Sequence, residues 1–116
     1  MEYALAILAA LSDPIRLRSL ALMAKGGELC VCELTHALQV GQPAISKHLA
    51  TLREVGLVKD RRDAQWVFNA IAADLPLWVE TALTAALAGV SDDPLTAADL
   101  ERLRTMTTRP SRSRVA

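Results

Sequence analysis

Apolar positions recur along this chain in helical steps. An Ala- and Leu-rich stretch runs from about Glu2 to Leu11 and meets Ser12-Asp13-Pro14. Asp13 offers an acceptor to the orphan amides of a following helix, and Pro14 presets φ at its first position. A second helix is therefore expected to about Lys25, ended by Gly26-Gly27, where glycine tolerates the left-handed conformation of a helix terminus. Val31, Leu34 and Leu38 share one face of a short third helix over about Val31 to Leu38. Gln39-Val40-Gly41 forms the turn after it. Ile45, Leu49, Leu52 and Val55 then stripe a fourth helix that opens at Gln42 and stops at Gly56.

After Gly56 the period changes. Leu57-Val58 and the run Trp66 to Ile71 are β-prone and flank a charged stretch from Lys59 to Gln65, the pattern of a small hairpin. Two closely spaced helices followed by such a hairpin predict a winged helix-turn-helix, mainly α with a small β-hairpin. Asp74 with Pro76 opens a fifth helix, which carries Leu77, Trp78, Val79, Leu83 and Leu87 to Gly89. This helix and the first carry more apolar surface than one small core can hide, so they are expected to pair across a two-fold axis in a homodimer. Thr96 to Asp99 reads as a capping-box-like start of a last helix near Leu100 to Met106, with Ser91 to Pro94 as linker. The expected division is a DNA-binding and dimerisation domain over residues 1–90 and a C-terminal extension over 91–116. That extension ends in a disordered basic tail whose Arg109, Arg112 and Arg114 are either a weak nonspecific DNA arm or solvated charge.

Composition agrees with one helical domain: 116 residues, 52% hydrophobic and only 3% aromatic, so the core is built from Leu, Ala and Val. The net charge of zero, from 13 basic and 13 acidic residues, argues at first against nucleic acid. The distribution reverses that argument. Gln42 to Asn69 holds Lys47, Arg53, Lys59, Arg61 and Arg62 against Glu54, Asp60 and Asp63, whereas Ala70 to Leu100 holds acids alone. No apolar run approaches the ~20 residues of a membrane span, and Glu2 with no basic n-region excludes a signal peptide. The expected location is cytoplasmic. In that reducing compartment a Cys-x-Cys pair points to a metal or redox site more than to a structural disulfide, and a bridge across one residue would be strained.

The chain's 2 cysteines, Cys30 and Cys32, stand at the threshold of the helix pair. Thiolate sulfur selects soft metalloid ions over oxygen-seeking metals. Residues two apart in a helix point about 200° from each other, so joint ligation is expected to distort the first turn of helix three. The helix N-terminus would also lower the thiol pKa. Two sulfurs leave a third position for a small thiol such as glutathione, for hydroxide, or for Thr35. The competing reading makes both cysteines small buried hydrophobes. His36 could join Cys32 and Glu33 around zinc or be an ordinary surface histidine. A thiol enzyme is disfavoured because the chain lacks a paired catalytic histidine and a Cys-x-x-Cys spacing. On the fourth helix Gln42 and Ser46 suit base edges, Lys47 a phosphate or guanine edge, and His48 a phosphate, each against the alternative of a solvated face. Arg61 and Arg62 are wing contacts to DNA or surface charge, and Trp66 and Phe68 are read as packing beneath the wing.

Leu29-Cys30-Val31-Cys32-Glu33-Leu34, the helix-turn-helix with Gln42-Pro43-Ala44-Ile45-Ser46-Lys47-His48-Leu49, and the hairpin after Leu57-Val58 resemble the ArsR/SmtB family of metal-sensing repressors, and within it the arsenical-resistance branch. The likeness runs from about Ala4 to Gly89. It implies a homodimeric winged helix-turn-helix with no catalytic cofactor, bound to an inverted repeat in double-stranded operator DNA. Release would follow when As(III) or Sb(III) binds Cys30 and Cys32. The alternatives are a sensor of cadmium, lead or zinc, or of thiol redox state. Two departures stand out. Many of the family's arsenic sites carry a third cysteine where this chain has Thr35. At the hairpin tip Ala64 replaces the frequent glycine, so a longer or different turn is expected there.

Overall fold

The computed structural model describes residues 1–112. Among them, six helices and three strands follow in the order α1 (Glu2–Leu11), α2 (Pro14–Gly26), β1 (Leu29–Cys30), α3 (Val31–Leu38), α4 (Gln42–Glu54), β2 (Val58–Asp63), β3 (Trp66–Ile71), α5 (Leu77–Val90) and α6 (Pro94–Arg104). The mainly α winged helix-turn-helix predicted from the sequence is the fold observed. No helix among the described residues is long and apolar enough to cross a membrane.

Local chemistry explains most boundaries. Asp13 caps α2 by accepting the Arg16 amide at 3.0 Å, with Pro14 at the start of the helix. Gly27 and Gly56 take positive φ just after α2 and α4, and no side-chain-bearing residue adopts those angles cheaply. Between α3 and α4 the left-handed position is filled by Gln39 (φ 56°), which ends α3, while Gly41 has an ordinary φ of −63°. Ile45, Leu49 and Leu52 of α4 pack against Leu34 and Leu38 of α3 within one core that also takes Leu20 and Leu22 from α2, Leu57, Val79 and Leu83. Burying each such side chain contributes about 1.5–3 kcal/mol.

Four expectations change. The sheet has three strands in the order β1-β3-β2, because Leu29 and Cys30 pair antiparallel with Asn69 and Phe68. The hairpin closes on Asp63 opposite Trp66 through the two residues Ala64 and Gln65, with Ala64 at φ 55°. The tight turn thus forms despite the missing glycine, since a single left-handed residue costs only about 1–2 kcal/mol and the ladder from Val58 to Asp63 outweighs it. Asp74 does not cap α5, which starts after Pro76; it pairs instead with Lys59 at 3.2 Å. Finally, α6 starts at Pro94, with Asp93 accepting the Leu95 amide at 2.8 Å, and Asp99 is a mid-helix residue rather than part of a cap.

Helix α6 packs against both α2 and α3. Asp99 is 2% exposed and receives two hydrogen bonds from Arg18, at 2.9 and 2.8 Å, and one from Arg102 at 2.8 Å. The same two guanidiniums donate to the last carbonyls of α3, Arg18 to Leu38 at 2.8 Å and Arg102 to Ala37 at 2.6 Å. These oxygens have no partner inside the helix, so α2 and α6 together complete the end of α3.

Candidate sensor and nucleic-acid interface

Cys30 and Cys32 are brought together. Cys30 is the N-cap of α3, in extended conformation (φ −85°, ψ 169°) and paired through its backbone with Phe68, while Cys32 lies in the first turn. Because only one of the two is helical, their side chains converge. The structure joins them as a disulfide, with Cα atoms 5.5 Å apart. Cys30 stands outside the helix, so the helical spacing that would turn the two side chains apart does not apply to the pair.

Cys30 is 2% exposed and Cys32 half-buried. Both line a cleft of about 430 Å³ together with Thr35 from α3, Gln42 from α4, and Gln65 and Trp66 from the wing. The cleft therefore lies where α3, α4 and the wing meet. Thr35 donates its hydroxyl proton to the Cys32 carbonyl at 3.0 Å. The backbone N–H of Cys30 donates to the carboxylate of Glu33 at 2.9 Å, and Glu33 is wholly buried. His36 is exposed one turn away, and no group of three or more potential metal-ligating side chains occurs among the described residues.

On α4, Gln42 and Lys47 are exposed and Ser46 half-buried, with the Gln42 amide donating to the Ser46 hydroxyl at 3.3 Å. His48 is turned inward. Its Nδ1 lies 3.0 Å from the Arg16 guanidinium and 3.6 Å from Asp13. Arg16 also donates to the carbonyls of Ala9 and Ala10. One guanidinium thereby ties the end of α1 to α4. At the other end of α4, Arg53 donates to the Asn69 side chain at 2.9 Å, and Asn69 in turn donates to the Leu29 carbonyl. A direct route of polar contacts thus runs from the strand carrying Cys30 to α4.

The two wing arginines separate. Arg62 is exposed. Arg61 grips Glu28 with two hydrogen bonds, one of 2.7 Å, reaches Asp63, and lies 5.4 Å from the centre of the Phe68 ring. The hydrogen bond to Arg61 holds the Glu28 carboxyl below the usual range and raises the guanidinium's own pKa. Phe68 is buried, as expected for packing under the wing, and Trp66 borders the cleft.

The tail is described as far as Arg112. Arg109 and Arg112, read from the sequence as a weak DNA arm or solvated charge, both pair with the buried Glu33. Arg114 lies outside the described residues. Sequence reasoning missed Glu33 as an anchor because burial of a carboxylate leaves no trace in periodicity. Arg16 and Asn69 were missed because their partners are distant in sequence.

Residues 13–60 match the family described as "Bacterial regulatory protein, arsR family". The chain is 46% identical over 105 residues to the arsenic resistance transcriptional regulator ArsR2 of Pseudomonas putida, covering 90% of each. It is 53% identical over 73 residues to ArsR1 of the same organism, covering 63% of this chain and 57% of that protein. With the arsenical resistance operon repressor of Escherichia coli it shares 47% identity over 68 residues, covering 59% of this chain and 58% of that one. The matched stretches thus span under two thirds of these last two relatives. Among solved structures, HlyU from Vibrio cholerae superposes with a TM-score of 0.61 at 34% identity, covering 72% of this chain and 87% of that one. The repressor BigR from Xylella fastidiosa gives 0.64 at 29%, covering 73% and 80%. By fold and by sequence the chain belongs to the ArsR family of bacterial regulatory proteins, winged-helix transcriptional regulators rather than enzymes.

Proposed function

We propose that this chain is a repressor that binds an inverted-repeat operator as a homodimer and lets go when As(III) or Sb(III) binds Cys30 and Cys32. The observation that carries the reading is the meeting of both sulfurs in a cleft bordered by Gln42 of the reading helix and by Gln65 and Trp66 of the wing. The names of the relatives support the metalloid as effector. In the reduced protein two thiols would condense with As(OH)₃ to give two As–S bonds and two waters. The third position on arsenic would keep hydroxide or take a glutathione thiol, because the Thr35 proton is committed to the Cys32 carbonyl. An ion seated in this cleft changes the spacing of α4 and the wing, the two elements that would face DNA. For dimerisation, α1 and α5 present Tyr3, Leu5, Leu8, Leu77 and Trp78 as exposed apolar side chains, with Tyr3 and Trp78 in edge contact at 5.6 Å.

The disulfide favours one further reading, a sensor of thiol redox state, in which a peroxide takes two hydrogens from the dithiol and leaves the bridge and two waters. Operator release titrated with arsenite, antimonite, cadmium and zinc in excess reductant, and with hydrogen peroxide in its absence, separates the two. Release by the metalloids under reducing conditions is the expected result. Release by peroxide alone would establish the redox reading instead.

Gln42, Ser46, Lys47 and Arg62 are the DNA contacts of this reading, with operator half-sites roughly 34 Å apart to match paired reading helices. Gln42→Ala and Ser46→Ala are each expected to lower discrimination between operator and mismatched DNA by about 1–3 kcal/mol. Lys47→Ala should weaken all sequences alike and flatten the salt dependence, which fluorescence anisotropy at several salt concentrations measures.

A further inference from the structure

Glu33 is the third residue of α3 and its carboxylate is wholly buried. One oxygen accepts both the Cys30 amide, at 2.9 Å, and the Arg112 guanidinium; the other accepts Arg109. A carboxylate that only capped a short helix could stay in water, because exposed acids near a helix N-terminus are stabilising without any cover. This one is roofed by chain from the far end of the molecule. Arg112 also donates to the Glu28 carbonyl at 2.8 Å and lies 4.3 Å from the centre of the Phe68 ring, and Phe68 is the strand partner of Cys30. Around the cysteine strand, Glu28 and Glu33 thus face Arg61, Arg109 and Arg112. Arg109 and Arg112 both bear on the side chain that accepts the Cys30 amide.

We propose that Glu33, Arg109 and Arg112 are positioning residues for the cysteine pair: the tail holds the Glu33 carboxylate on the Cys30 amide, and so keeps the Cys30 sulfur beside that of Cys32. Groups that orient a ligand without touching the bound ion commonly change affinity by 10–100-fold when removed. The proposal rests on the reading of Cys30 and Cys32 as the sensing pair, but the closeness of two thiols can be measured without any metalloid. The full-length protein is equilibrated with oxidised and reduced glutathione, in which the dithiol and one glutathione disulfide exchange for the protein disulfide and two glutathione thiols.

In Arg109→Ala/Arg112→Ala the constant for forming the bridge is expected to fall by about tenfold, and the arsenite affinity with it. Arg109→Lys/Arg112→Lys, which keeps the charges, is expected to recover part of the loss. Arg102→Ala removes a guanidinium from the opposite end of α3 and is expected to lower thermal stability while leaving the bridge constant unchanged. A fall of about fivefold or more in the tail variant, absent from Arg102→Ala, supports the proposal; a smaller fall, or an equal one in both, overturns it. Should the double variant not fold, Arg112→Gln, with Arg109 still on Glu33, is judged by the same criterion. If the tail variant behaves as expected but arsenite never releases operator DNA, the positioning role stands and the metalloid reading fails.

Discussion

Cys30→Ser and Cys32→Ser are each expected to bind operator DNA as tightly as the parent chain and to remain bound when arsenite is added. Serine is close to cysteine in volume, and neither sulfur belongs to the exposed face of α4. Cys30 is 2% exposed and lies in the strand beside β3, so its loss leaves the side chains proposed to face DNA where they are. What disappears is the free energy that separates the liganded from the unliganded shape. A 100-fold release requires a coupling of about 2.8 kcal/mol, modest for two As–S bonds, and one remaining sulfur cannot chelate. Anisotropy of labelled operator under reducing conditions, with and without arsenite, measures this. Normal release from either variant would remove that cysteine from the ligand set.

Asp99→Ala is expected to destabilise the protein by about 3–5 kcal/mol, because it leaves two guanidiniums partly buried without their shared carboxylate. Arg18 and Asp99 have side chains only 18% and 3% exposed, so solvent screens this pair far less than a surface pair. Its hydrogen bond to Asp99 also raises the Arg18 pKa. The guanidiniums of Arg18 and Arg102 also donate to the terminal carbonyls of α3, so the loss spreads into the helix that precedes α4. Urea unfolding monitored by circular dichroism reads the effect. Asp92→Ala, at an exposed position near the start of α6, serves as the reference and should change stability by no more than about 0.5 kcal/mol. Equal, small effects from both would mean that α6 is not anchored through Asp99.

The elements that form the DNA-reading unit were legible from apolar spacing and helix-end chemistry, because each is specified by residues close together in sequence. Asp13-Pro14, the stripe Ile45, Leu49, Leu52, and Gly56 all act locally. Strand β1 was not legible, since two residues have no period and Leu29-Cys30 become a strand only by meeting Asn69 and Phe68. The start of α6 was legible and misread. Asp93-Pro94 repeats the logic of Asp13-Pro14, yet Thr96 to Asp99 offered a rival signal, and only burial of Asp99 against Arg18 decides between them. The expected start of α3 at Val31 already left Cys30 outside the helix, so the 200° spacing of helical neighbours did not apply to the cysteine pair. Arg109 and Arg112 resemble solvated charge in sequence because nothing near them reveals that Glu33 lies beneath.

The buried Glu33 also limits how far the cysteine motif can be transplanted. Its counter-charges come from 76 and 79 residues further along the chain. A graft of residues 29–35 into another winged-helix scaffold would carry the sulfurs and the carboxylate but not the arginines. The recipient would inherit an uncompensated negative charge at the foot of its helix-turn-helix, where transfer from water costs several kcal/mol. A portable version of this motif is therefore a two-segment design, in which the host supplies guanidiniums at the same place or the glutamate is exchanged for a neutral capping residue.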